Sequence, residues 1–207
     1  MRHVTACLTV VALTGALPAR ADDAPAKSLA ITGVTVIDAT GAPARPNMTV
    51  VVTGDRIAAV GKSGEVVVPE GARVVDGKGK YLIPGLWDMH VHTAGPSFLP
   101  LYLANGVCGV RDMHALNPDA IFGLRKQVQE GKQPGPRIVA AGPLVDGAKP
   151  LVPSSLVAAN AAEGREAVRK LKTMGADFVK VYTKLPREAY LSIADEDRKS
   201  TRLNSSH

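Results

Sequence analysis

Cysteine is nearly absent from this 207-residue chain, which has only Cys7 and Cys108. Cys7 lies in the apolar stretch of what reads as a cleavable leader, so one thiol remains and no intrachain disulfide is expected. Aromatic residues are scarce too (one Trp, four Tyr, three Phe), and no run of Lys and Arg is interleaved with them. That excludes the basic, aromatic-studded surface by which many proteins hold nucleic acid. Long apolar runs are missing as well. The longest, Val4 to Leu17, covers 14 residues where a spanning helix needs about 20, so no membrane anchor is expected. Histidine is the last scarcity: of five, His3 and His207 lie at the ends, which leaves His90, His92 and His114.

Both ends differ from the middle. Residues 1–21, MRHVTACLTVVALTGALPARA, have the layout of a secretory signal peptide: Arg2 and His3, the apolar stretch, then Ala19-Arg20-Ala21 as cleavage site. The expected destination is outside the cytoplasm, periplasmic or extracellular. Residues 197–207, DRKSTRLNSSH, form a polar string without periodicity. All eleven match the translation of a common short-read sequencing adapter, which suggests a gene cut off by the end of a sequencing fragment; an ordinary polar tail is the alternative. Residues 22–196 carry 20 basic and 18 acidic side chains, a net of +2 against +6 for the whole chain. The pI near 9.4 therefore says little about partners.

What is present falls into two styles. Residues 28–83 alternate short β-branched runs with Gly, Pro and Asp turns, as in LAITGVTVID and NMTVVVTGDRIAAVG, which predicts a small β-sandwich within residues 22–83. Gly61-Lys62-Ser63 ends like a phosphate-binding loop. The glycine needed five positions earlier is Arg56, and the strand-like EVVV follows in place of a helix, so no nucleotide site is expected. From Pro84 onward, apolar strands alternate with helical patterns. Strands are predicted at 86–91, 109–113, 136–142 and 177–182, and helices at 97–106, 119–132, 160–175 and 187–196. Ala167, Val168, Leu171 and Met174 recur at helical spacing, and Gly175 supplies the stop. Strand-helix alternation means parallel βαβ units. Four such units in residues 84–196 fit the first half of a (β/α)8 TIM barrel, since a complete one needs about 250 residues.

The chemistry concentrates at the end of the first of these strands, PGLWDMHVHT. Strand side chains alternate, so Asp88, His90 and His92 are expected on one side and Trp87, Met89 and Val91 on the other. Two neutral imidazoles at that spacing can bind one Zn²⁺ and leave positions for later ligands and water; the plain alternative is a polar strand end. Asp88 is a candidate to orient a ligand histidine, with a local turn contact as the alternative. On the fourth strand Phe178, Lys180 and Tyr182 share a face opposite Val179 and Val181, which turns Lys180 inward. An inward ammonium needs a partner, and burial favours its neutral amine, which can add CO₂ to become an anionic carbamate; pairing with a carboxylate such as Asp112 is the alternative. Lys184, just before Pro186, reads as solvated. Tyr182 and His114 are candidate substrate contacts, against strand packing for the tyrosine and a solvated loop for the histidine. Arg111 and Asp112 read as a structural pair, and Cys108 as core.

The stretch VVDGKGKYLIPGLWDMHVHT resembles the signature of the amidohydrolase superfamily. GVRDM, GPRIVAAGPLVDGAKP and GADFVKVYTKLPREAY are similar to its imidazolonepropionase-like and dipeptidase-like branch. The resemblance covers roughly residues 28–196, an N-terminal fragment, and implies an α/β fold with a β-sandwich joined to a metal-binding barrel. It further implies His90 and His92 as metal ligands and Lys180, carboxylated, as a bridge between two Zn²⁺ ions, other divalent metals being compatible. The implied reaction is hydrolysis of a carbon-nitrogen bond in a small cyclic or dipeptide-like amide by metal-activated water. Two further histidines and the aspartate acid/base would come from strands five, six and eight, so no catalytic acid/base is expected in residues 1–196. A mononuclear deaminase-type member, which would not need Lys180, and a non-catalytic scaffold are the alternatives. A homo-oligomer is compatible with either.

Overall fold

The computed structural model describes residues 28–114 and 117–204. The expected leader, residues 1–21, lies outside the described residues. Two compact units divide the chain, one ending at Pro84 and the other starting at Gly85.

In the first unit the β-branched runs form β1 (Ser28–Val36), β2 (Arg45–Thr53), β3 (Arg56–Lys62), β4 (Arg73–Asp76) and β5 (Tyr81–Leu82). Gly54, at φ 61°, opens the two-residue turn that reverses β2 into β3. β1 is the hub of the sheet: it pairs antiparallel with β2 and parallel with β4 and β5, while β3 lies outside β2. Val34, Val36, Met48 and Val50 make its buried cluster. Among the described residues this unit has one mixed sheet, where the sequence predicts a sandwich of two. Lys62 ends β3, and the Ser63 hydroxyl accepts the Gly33 N–H at 3.0 Å and pairs with Thr49 Oγ1 at 2.9 Å. That serine is committed to the sheet.

The second unit contains β6 (Leu86–Val91), α1 (Leu99–Ala104), β7 (Val107–Asp112), α2 (Pro118–Gln129), β8 (Arg137–Ala140), β9 (Val145–Asp146), β10 (Leu156–Val157), α3 (Ala161–Met174) and α4 (Arg187–Asn204). β6, β7 and β8 form a parallel sheet in that order, and β9 pairs parallel with β10. The helices have clear local causes. Asn117 caps α2 by accepting the Ala120 N–H at 3.2 Å, with Pro118 pre-set in the first turn. Asn160 caps α3 by accepting from Ala162 and Glu163, both at 3.0 Å, and Gly175 ends it in the left-handed region at φ 85°. One core holds Val91, Val110, Ile138 and Ala140 of the sheet against Leu99, Ile121 and Leu124 of the helices. A second gathers Val145, Val168, Leu171 and Ile193, with Val179 and Val181 packed against it.

Three expectations need correction. The stretch 177–182 does not form a regular strand; one parallel bridge, Val145 to Val181, joins it to β9, and the Asp177 N–H donates to the Ala140 carbonyl of β8 at 2.9 Å. The reason lies in its neighbour. The chain leaves β8 after Ala140 and turns at Gly142 (φ 71°), and the Asp177 carboxylate accepts the Ala140 N–H at 2.9 Å in place of a ladder carbonyl. Pairing resumes at Val145, which donates to the Lys180 carbonyl and accepts from the Tyr182 N–H, both at 2.9 Å. Next, α4 runs to Asn204, beyond its expected end at residue 196. Asp195 pairs with Arg198 at 2.9 Å and Lys199 at 2.6 Å, the spacings that support another turn. Finally, Cys108 is exposed, lying beside Gly85 where an added side chain would meet its Cβ at 2.7 Å.

Candidate active site

The site starts with an irregularity in β6. The Asp88 carboxylate accepts the His90 backbone N–H at 3.1 Å, which removes that donor from the ladder, and the register with β7 slips between Asp88 and Val91. Of the three residues expected on the helix side, only Val91 (6% exposed) enters the core; Trp87 and Met89 stay exposed. Trp87 lies over Gly109 of β7, where an added Cβ would meet the indole at 2.3 Å. Val91 still turns toward the helices, so its neighbours His90 and His92 project away from that core, both exposed, with ring centroids 5.4 Å apart. Asp88 makes the local turn contact and touches the backbone of His90.

Asp112 organises the loops beyond the sheet. It is 1% exposed and accepts the N–H of Thr93 at 2.7 Å and of His114 at 3.2 Å, so its carboxylate joins the segment leaving β6 to the one leaving β7. The expected Arg111–Asp112 pair is absent. Arg111 donates Nε to the Met89 carbonyl at 3.0 Å and stacks over Phe178, 5.3 Å from the ring centroid. Neighbours on a strand point to opposite faces, and each of the two found a partner on its own side.

His114 differs most from its expected solvated state. It is half-buried, and both ring nitrogens are buried without a hydrogen-bond partner among the described residues; Thr93 Oγ1 shares that condition. Each such atom costs about 1–3 kcal/mol. Burial first, and the nearby His92 second, lower the imidazole pKa from its ordinary value, with Asp112 opposing. The His92 ring stands 6.2 Å from it, and His92 Nδ1 lies 3.4 Å from the His114 carbonyl oxygen. A cleft of about 1000 Å³ opens beside these groups, bounded by the loop after β6 and by α2.

Lys180 is half-buried on the stretch bridged to β9. Val179 and Val181 on either side of it pack on the helix cluster, and its ammonium has no hydrogen-bond or ion-pair partner among the described residues. Tyr182 is 38% exposed. Below them Asp146, fully buried, accepts backbone N–H groups from Gly147 (3.0 Å), Leu151 (3.0 Å) and Lys184 (2.7 Å). Burial alone would raise its pKa; the three donors outweigh this and hold it below the ordinary carboxylate value. No group of three His, Cys, Asp or Glu close enough to hold a metal ion occurs among the described residues. Sequence reasoning missed Thr93 and the bracing roles of Asp112 and Asp146, because their partners are distant in the chain and no local motif marks them.

No family model matches the chain. An adenine deaminase of Rubrobacter xylanophilus is 30% identical over 165 residues, 76% of this chain and 26% of that protein. An imidazolonepropionase of the same organism is 51% identical over 49 residues, 22% of this chain and 12% of that protein. Among solved structures, phenylurea hydrolase B superposes with a TM-score of 0.68 at 26% identity, over 84% of this chain and 54% of that one. The chain thus spans about a quarter or less of these curated relatives and about half of that structure. No helix among the described residues is long and apolar enough to cross a membrane. A mixed α/β fold shared over most of the chain, with a His-Val-His strand end shaped by Asp88, meets relatives named as a deaminase, an imidazolonepropionase and a hydrolase: the similarity is to the amidohydrolase superfamily.

Proposed function

We propose that the chain carries part of the active site of a metal-dependent hydrolase that cleaves a carbon-nitrogen bond in a small amide or cyclic amide. The observation that carries this is the pair His90 and His92, held on either side of buried Val91 with their rings adjacent and turned from the core. The donor set fits a divalent metal as a partial site: two exposed imidazoles, with a lysine on the 177–182 stretch that has no partner among the described residues. A bound zinc ion would supply Lewis acidity, activating water and polarising a carbonyl. His90 and His92 would hold it. Lys180 would add its amine to CO₂, forming an N–C bond and releasing one proton, and the resulting carboxylate would serve a second ion. Tyr182 and His114 would contact substrate.

In this reading β6, β7, β8 and the 177–182 stretch are the first strands of a (β/α)8 barrel, and the sheet of the first unit is half of a β-sandwich. The remaining metal ligands and the acid/base lie outside the described residues, and the leader directs export. The similarity to an adenine deaminase supports a second reading, a mononuclear deaminase, in which Lys180 holds no metal.

The test uses the longest reading frame of the intact locus, expressed with zinc and bicarbonate. Two zinc ions per chain are expected, falling to one or none in Lys180→Ala, with a carbamate carbon signal after ¹³C-bicarbonate labelling. One zinc in both proteins and no carbamate signal would favour the deaminase. Zinc content unchanged by His90→Asn and His92→Asn together would overturn the metal site.

A further inference from the structure

The cleft beside His92 has a chemistry of its own. Its walls are mainly apolar, with Pro96, Ile121 and Leu124 among them, and its volume of about 1000 Å³ is far beyond what a single water fills. Two of its lining residues, Thr93 and His114, hold buried side-chain polar atoms without a hydrogen-bond partner among the described residues. Asp112 already takes the backbone N–H groups of Thr93 and His114, so what these residues can still offer a ligand is the threonine hydroxyl and the two ring nitrogens. An imidazole and a hydroxyl can between them donate and accept, so the cluster matches a group that does both.

The charges present point the same way. Neither lysine nor arginine lines the cleft, while Asp112 and Asp119 do. The start of α2, the one feature that would attract an anion, is already answered: Asn117 takes the Ala120 N–H, and Asp119 sits in the first turn.

We infer that this cleft is a specificity pocket that receives an apolar, uncharged part of the substrate, such as a ring bearing a hydroxyl, through Thr93 and His114, and that it discriminates against a carboxylate at that position. The inference rests on the hydrolase reading for its word substrate; the pocket itself does not need catalysis to be observed.

The experiment measures equilibrium binding to the metal-free full chain by ligand-observed NMR, with two probes alike except at one position, 4-acetamidophenol and 4-acetamidobenzoate. The phenol should bind at least tenfold more tightly. His114→Leu and the isosteric Thr93→Val should each weaken the phenol at least fivefold, and Asp119→Asn should narrow the preference at least threefold. Thr93→Val keeps the test decisive if the histidine variant fails to fold. Equal affinity for both probes, no binding of either, or a phenol affinity unchanged in Thr93→Val overturns the pocket. Binding as expected by a protein that hydrolyses no amide with zinc refutes the hydrolase reading alone; hydrolysis without discrimination between the probes refutes the pocket alone.

Discussion

Asp112 reaches back 19 residues to accept the backbone N–H of Thr93 at 2.7 Å, which ties the segment leaving the histidine strand to the end of the next strand. The same carboxylate holds the His114 N–H, so one buried side chain sets the positions of two of the loops around the candidate site. Asp112→Ala leaves both donors without an acceptor and should destabilise the chain by about 3 kcal/mol, read as a lowered urea midpoint. Asp112→Asn keeps one good acceptor and should cost about half as much. Equal losses in the two variants would argue against the double bond to the loops.

Asp146 gives a pH dependence with a definite sign. Its folded pKa lies below the ordinary 3.8, so the unfolded chain binds its proton first as pH falls. Its contribution is fully present above pH 3.8 and is lost as pH drops through the lower folded value. The urea midpoint should therefore fall more steeply in wild type than in Asp146→Asn between roughly pH 5 and pH 3. Parallel curves would remove Asp146 from the account.

Gly109 is a packing constraint. A Cβ there would meet the Trp87 indole at 2.3 Å, and a ring at that position has little room to yield. Gly109→Ala should cost about 1–3 kcal/mol of stability, and most of that should return in the double variant Trp87→Leu with Gly109→Ala. Additive losses in the double-mutant cycle would show that the two do not touch.

The cap of α3 is a local prediction. Asn160 accepts from two helix N–H groups while Glu163 Oε2 accepts the Ala159 N–H at 2.8 Å, a reciprocal arrangement. Asn160→Ala should lower stability by about 1 kcal/mol in chemical denaturation, and Asn160→Ser should recover most of it.

The histidine pair, the stop of α3 and the strand-helix alternation were legible in the sequence because each depends on spacings of a few residues. His90 and His92 flank an apolar residue, and Gly175 carries its left-handed preference with it. The failures share another cause. Strand parity puts Trp87 and Met89 on the face of Val91, yet only Val91 is buried; the Asp88 carboxylate takes a ladder donor and the register with β7 slips there, an event set by one side chain and its strand partner together. The 177–182 stretch reads as a strand by composition, yet Asp177 binds β8 through its carboxylate as well as its backbone and only one bridge forms.

The sequence by itself determined that the chain alternates strands with helices and that α3 stops at Gly175, since these follow from side-chain chemistry and local backbone preference. Tertiary structure decided which polar groups are paired. Asp112 went to Thr93 and His114 and not to Arg111, Arg111 went to Phe178, and the His114 ring was left buried and unpaired. Such pairings depend on distances between segments far apart in the chain, and hydrogen bonding falls off too steeply with distance for composition or periodicity to anticipate them.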